Sequence, residues 1–158
     1  MSQASDTVTR TGIVGLGAMG LQLARHMAAK GFDVRGHDID AGALARAQAE
    51  GIRTASAGDI ATHAQVVIVM VATDEQVREV VQDLLTRLAP GSVICVASSV
   101  APETCRRLAA QAGERGLGLL DTPVVLGQAA ANNGTLTIYV GGEQRWFLIA
   151  RPDRKSVV

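Results

Sequence analysis

Apolar residues fall along this chain in two rhythms that take turns: short solid runs, and longer stretches in which apolar side chains recur three or four positions apart. A solid run bounded by turn residues reads as a strand buried on both faces, and the wider spacing reads as an amphipathic helix. Residues 11–15 form the first such strand; residues 18–30 follow as a helix with Leu21, Ala24, Met27 and Ala28 at helical spacing and Gly31 at its end. The alternation continues through strand 32–36, helix 41–50, strand 53–55, a helical turn around Asp59 and the apolar strand 66–71. Asp74 stands as the cap of a helix carrying apolar Val77, Val80, Val81, Leu84, Leu85 and Leu88, with Pro90-Gly91 as its stop. After strand 92–97, Pro102 takes a first-turn position, where its missing N–H is no loss, in a helix running to about Gln111. Strand 117–121 comes next, and strand 135–140 is the last, set between Asn133-Gly134 and Gly141-Gly142. The pattern predicts an α/β domain with a doubly wound, mostly parallel sheet of six or seven strands.

Ligands of such sheets bind in the loops at the carboxyl ends of the strands. Here those loops are residues 15–20, Ala72-Thr73, Ser98-Ser99 and residues 122–127. The first reads Gly15-Leu16-Gly17-Ala18-Met19-Gly20, directly after a strand and directly before a helix. In that setting Gly15 can take the tight turn, Gly17 leaves room for a pyrophosphate, and Gly20 lets helix and strand approach closely. The phosphates would meet the free N–H groups and positive dipole end of the new helix. Asp38 lies about twenty residues beyond the glycines, at the end of the second strand, where a carboxylate accepts hydrogen bonds from the ribose hydroxyls. A 2′-phosphate beside Asp38 would be repelled and would find no cation at Ile39, so NAD is favoured over NADP, with Arg35 and Arg46 near in sequence. Read without a ligand, Asp38 is a solvated strand-end residue followed by Asp40 as helix cap. Ser98 and Ser99 have hydroxyls that suit either the nicotinamide side of the cofactor or the cap of the helix at Pro102.

The 158 residues, 47% hydrophobic, suffice for one domain with a substantial core. Fifteen basic and fifteen acidic residues balance to zero and are scattered, which argues against nucleic acid or an anionic membrane as partner and for a small molecule. The polar start, residues 1–10, is read as a disordered segment without the features of a secretory signal, and a cytoplasmic protein is expected. Cys95 and Cys105 read as small buried hydrophobes, and His26, His37 and His63 as helix-surface or loop residues without metal-ligand spacing.

A second motif narrows the reading: Asp121-Thr122-Pro123-Val124-Val125-Leu126-Gly127-Gln128-Ala129-Ala130-Ala131-Asn132-Asn133-Gly134-Thr135-Leu136. Together with the glycine fingerprint it resembles the β-hydroxyacid dehydrogenases, the 3-hydroxyisobutyrate and 6-phosphogluconate dehydrogenase-like superfamily, across residues 11–152. The resemblance implies a Rossmann-type NAD(P)-binding domain, an oxidoreductase passing hydride between a small β-hydroxy acid and the nicotinamide, and a homo-oligomeric full-length protein. Ser98-Ser99-Val100-Ala101-Pro102 is similar to that family's cofactor loop, which adds Ser98, with Ala72 and Thr73, to the cofactor contacts. Residues 123–127 fall on the family's substrate loop, which reads D-x-P-V-S-G-G; Val125 stands at its serine and Leu126 at its first glycine. Valine cannot form the serine's side-chain hydrogen bond, and loss of such a contact weakens binding by about 1 to 3 kcal/mol, enough to change substrate preference. Pro123, Val124, Gly127 and Asn132 remain candidates for that loop, Asn132 equally as a polar turn residue before a strand.

The family's catalytic lysine belongs to a second, all-helical domain; Lys155, the only lysine after Lys30, is not given that role. Residues 153–158 match neither the family nor a helical pattern. Read in frame, the bases GATCGGAAGAGCGTCGTG of a common sequencing adapter encode these six residues, and a stop follows. The expectation is therefore a non-native or disordered tail and a native protein that continues into the helical domain, with this chain binding cofactor and showing little turnover. Two alternatives stay open: an imine or aldehyde-acid reductase of the same superfamily, and a non-catalytic dinucleotide-binding module.

Overall fold

The structure, a computed structural model, describes residues 9–125 and 127–151. In chain order the elements are β1 (Arg10–Val14), α1 (Ala18–Ala29), β2 (Asp33–His37), α2 (Ala41–Ala49), β3 (Arg53–Thr54), α3 (Ala57–His63), β4 (Val66–Val69) and α4 (Asp74–Arg87). There follow β5 (Val93–Val96), α5 (Pro102–Glu114), β6 (Gly118–Asp121), β7 (Val124–Val125), α6 (Gly127–Asn133), β8 (Thr137–Ile138) and α7 (Gln144–Ala150). Six strands form one sheet in the order β3-β2-β1-β4-β5-β6, every pairing parallel. The strand order reverses between β1 and β4, the position at which a doubly wound sheet opens a crevice beyond its carboxyl edge.

Both faces of the sheet are covered, which is why the central strands β4 and β5 are solid apolar runs. One face packs Ile13 and Val34 under α1 and α2 with Leu21, Ala24, Ala43 and Ala47. The other packs Val67, Val69, Ile94 and Val96 under α3, α4 and α5, with Ile60, Val77, Val81, Leu84 and Leu108 buried. Beyond α1 on the first face, Val66, Val93, Cys95 and Leu120 are covered by Trp146 of α7. Among the described residues no helix is long and apolar enough to cross a membrane.

Four expectations are corrected at the level of elements. The strand expected at 135–140 shrinks to β8, which pairs antiparallel with β7 in a separate two-stranded sheet, while Gly141 makes a lone bridge to Asp121 of the main sheet. The stretch read as a loop after Pro123 contains α6, so Asn132 lies in a helix and not in a turn. The helix after Thr73 is capped by Thr73, not Asp74: Thr73 Oγ1 accepts from the Gln76 amide in a reciprocal capping box. Arg10, placed with the disordered start, is the first residue of β1. Two histidines are also relocated: His37 lies in β2, and His63 is buried at the end of α3 with Nε2 3.4 Å from a carboxylate oxygen of Asp33.

Candidate cofactor site

The β1–α1 turn is built by the absence of side chains. Gly15 has φ +102, and a Cβ there would collide with the Met70 carbonyl of the neighbouring strand end. A Cβ on Gly20 would strike the Gly15 carbonyl, so the first turn of α1 can sit this close to the strand only as glycine. Gly17 differs: among the described residues nothing lies within 4 Å of where its Cβ would be. The protein does not need a glycine there for its own packing, and the open space lies at the N-terminus of α1.

That terminus is left free for an anion. Leu21 N–H makes the first intrahelical bond, to Gly17 O at 3.0 Å, which leaves the amides of Ala18, Met19 and Gly20 at the head of the helix. Among the described residues no side chain caps α1 and no acidic residue occupies its first turn, whereas α2, α3 and α4 are capped by Asp40, Ser56 and Thr73. The positive dipole end of α1 is thus not neutralised by any residue of its own first turn. Leu16 enters the site only through its backbone, because its side chain is fully buried against Gly36.

Asp38 stands beside this turn. Its Oδ2 accepts from Leu16 N–H at 2.7 Å and its Oδ1 from Asp40 N–H at 2.9 Å, which fixes the carboxylate at the glycine turn with lone pairs to spare. Arg46 lies 3.7 Å from Asp40, whose carboxylate also caps α2. Next to Asp38, Ile39 is 90% exposed and presents a bare apolar surface.

The loops after β4 and β5 complete the edge. The Ala72 and Thr73 amides both donate to Gln76 Oε1, at 2.9 and 3.2 Å, so these backbone donors are already used. Ser98 is buried, and its Oγ accepts from Val71 N–H at 2.8 Å. It therefore holds the β4 loop against β5 and does not cap α5, whose N-cap is Ala101 without a side-chain bond. Gln76 was missed as a contributor, although the spacing Thr73-Asp74-Glu75-Gln76 is a capping-box signature.

The residues of the second motif lie at the same edge by way of α1. Gln128 Nε2 donates to Ala18 O at 3.2 Å and to Asn132 Oδ1 at 2.8 Å, and Asn132 O lies 3.1 Å from His26 Nε2. Val124 and Val125 pair with Ile138 and Thr137, and with Pro123 they are half-buried; Gly127 opens α6 with φ +65. Leu126 lies outside the described residues.

A parallel sheet with a switch point, a glycine turn open where a diphosphate would lie, and a carboxylate beside it define a dinucleotide-binding domain of the Rossmann type. The comparisons with known proteins agree and go one step further. The chain belongs to the family described as the NAD binding domain of 6-phosphogluconate dehydrogenase, which matches residues 10–152. It is 38% identical over 143 residues to an NAD-dependent L-serine dehydrogenase of Pseudomonas aeruginosa, covering 88% of this chain and 48% of that protein. It is 35% identical over 149 residues to a 3-hydroxyisobutyrate dehydrogenase of the same organism, covering 92% and 50%. Among solved structures, a Mycobacterium tuberculosis 3-hydroxyisobutyrate dehydrogenase with L-serine superposes with a TM-score of 0.85 at 31% identity, covering 91% of this chain and 52% of that one. The chain thus spans about half the length of the relatives it matches.

Proposed function

We propose that the chain is the cofactor-binding half of a dehydrogenase that prefers NAD and acts on a small β-hydroxy acid. The observation that carries the cofactor assignment is the pairing of an unfilled Gly17, at an uncapped helix end, with an Asp38 carboxylate tied to the same turn. The amides of Ala18, Met19 and Gly20 hold the pyrophosphate, and Asp38 accepts from the adenosine ribose hydroxyls. Selectivity follows from charge: a 2′-phosphate would approach an anchored carboxylate, and Ile39 offers it no donor. A nicotinamide bound at this edge would supply hydride acceptance from a hydroxyl-bearing carbon. Val125, half-buried in β7, offers an apolar side chain at the position of the family's serine and cannot make that serine's hydrogen bond to substrate. The reaction class is supported by the relatives named as hydroxy-acid and serine dehydrogenases.

Calorimetric titration of the purified chain with NAD and with NADP tests the assignment. NAD should bind at least about tenfold more tightly, and Asp38→Ala should weaken NAD by about 1 to 3 kcal/mol while leaving NADP nearly unchanged. Flat titrations with both nucleotides on folded protein would overturn the cofactor site, and an unchanged preference in Asp38→Ala would remove the carboxylate from it.

A further inference from the structure

The loops after β4 and β5 lie at the carboxyl ends of neighbouring parallel strands, on the half of the sheet that in a dinucleotide-binding fold faces the second mononucleotide. Ser98 supplies one tie between them, reaching from the β5 end to Val71 N–H. A second tie runs the other way. Asp74, the first residue of α4, accepts from Ala101 N–H at 3.1 Å through Oδ1 and from the Thr104 hydroxyl at 3.0 Å through Oδ2. Helix α5 needs this help: its N-cap is an alanine with no side-chain bond, and Pro102 follows. The buried Thr104 hydroxyl would otherwise lose a hydrogen-bond partner on a helix that α4 packs against. Arg78, one turn along α4, lies 3.6 Å from Asp74 Oδ2 and steadies the carboxylate from behind. Asp74 therefore caps a helix other than its own and closes residues 98–101 onto the β4 loop.

We infer that Asp74 is a positioning residue for the nicotinamide half of the cofactor, holding the β5–α5 loop in place through Ala101 and Thr104 without touching the nucleotide. The inference rests on the dinucleotide assignment above and makes a claim that assignment does not: the two halves of the nucleotide depend on different residues. Loosening this tie should be felt by the nicotinamide end and not by the adenosine end, which is held at the opposite side of the switch point by the glycine turn and Asp38.

The experiment compares two ligands on the 158-residue chain. NADH carries the nicotinamide and reports its surroundings through its own emission; ADP-ribose carries only the adenosine, diphosphate and second ribose. Asp74→Ala should weaken NADH by about tenfold and reduce its emission enhancement, with ADP-ribose affinity held within about twofold. Asp74→Asn should restore most of the loss, because its carbonyl can accept from Ala101 N–H while its amide donates to the Thr104 oxygen. Where Asp74→Ala is too unstable to purify, Thr104→Val removes one of the two bonds and should show a smaller change in the same direction. Equal weakening of both ligands would make Asp74 a purely structural residue and overturn the inference, as would unchanged NADH binding in Asp74→Ala or, failing that, in Thr104→Val. Failure of the unsubstituted chain to bind ADP-ribose would instead overturn the dinucleotide assignment itself.

Discussion

The two sides of the sheet's carboxyl edge are shaped by opposite means. At β1 and β2 the site is made by what is missing: glycines at 15 and 20 let backbone approach backbone, Gly17 leaves open space, and the helix end goes uncapped. At β4 and β5 it is made by what is added: Ser98 and Asp74 reach across loops, Gln76 folds back on its own helix start, and all three use up backbone donors that would otherwise be free. The first side exposes amides to a ligand, whereas the second hides them and holds a rigid wall. This division suits a ligand with a charged diphosphate at one side of the crevice and an uncharged carboxamide at the other.

The glycines give the strongest way to break the comparison. Gly15→Ala would force a Cβ into the Met70 carbonyl at φ +102, and destabilisation of several kcal/mol, seen as a large drop in the denaturant midpoint, is expected. Gly17→Ala has φ −65 and open space, so stability should stay within about 1 kcal/mol of the original. Under the proposed cofactor site its nucleotide affinity should nevertheless collapse by at least about tenfold, since the methyl group would occupy the open space assigned to the diphosphate. If Gly17→Ala bound NAD normally, the open space would have no bearing on the ligand and the contrast between the two sides would dissolve.

On the additive side the effect should be smaller and should run through stability. Ser98→Ala leaves the half-buried Val71 amide without its hydroxyl partner, which costs about 1 to 3 kcal/mol by chemical denaturation. A loss well under that range would mean that water or another group replaces the hydroxyl and that the β4 loop is not held by Ser98.

The same division explains how much could be read from the sequence. The glycine turn and the alternation of strands and helices rest on spacings of a few residues, so residue types alone carried them, whereas Asp38, 22 positions from the Leu16 amide it accepts from, was reached through the strand-end position and interval of the fingerprint. The ties across the β4 and β5 loops join residues about thirty positions apart, as Asp74 joins Thr104, and no local pattern announces a cap donated by a neighbouring helix. Ser98 shows the limit well: its place beside the crevice was legible, but its hydroxyl turns inward to Val71, which only packing decides. Helix α6 escaped because Ala129-Ala130-Ala131 has high helix propensity without amphipathic spacing, and α7 because seven residues are too few to show a period. The strand at 135–140 was overextended because its apolar run continues past Ile138 to Tyr139 and Val140, which the structure leaves exposed.

The smallest effect separates the two sides by pH. Both cysteines belong to the additive side: Cys95 in β5, whose thiol burial pushes up from 9.0 to about 12, and Cys105 in α5, raised to about 11 by burial and then by the charge and hydrogen bond of Asp121 and the charge of Asp74. In the unfolded chain these thiols ionise near pH 9, whereas in the folded chain they stay protonated to about pH 11. Between those limits the folded state binds more protons than the unfolded one, so stability falls as pH rises. Below pH 9 the contribution is fully present; at about pH 9.5 each thiol should cost somewhat less than 1 kcal/mol. Denaturation at pH 8 and pH 9.5 should show this loss, and Cys95→Ala with Cys105→Ala should remove it. Amide exchange at pH 9.5 should lose protection first in β5 and α5, while β1, β2 and the turn at Gly15 follow later. Loosening that began instead at the glycine turn would show that the two sides do not rest on separate supports.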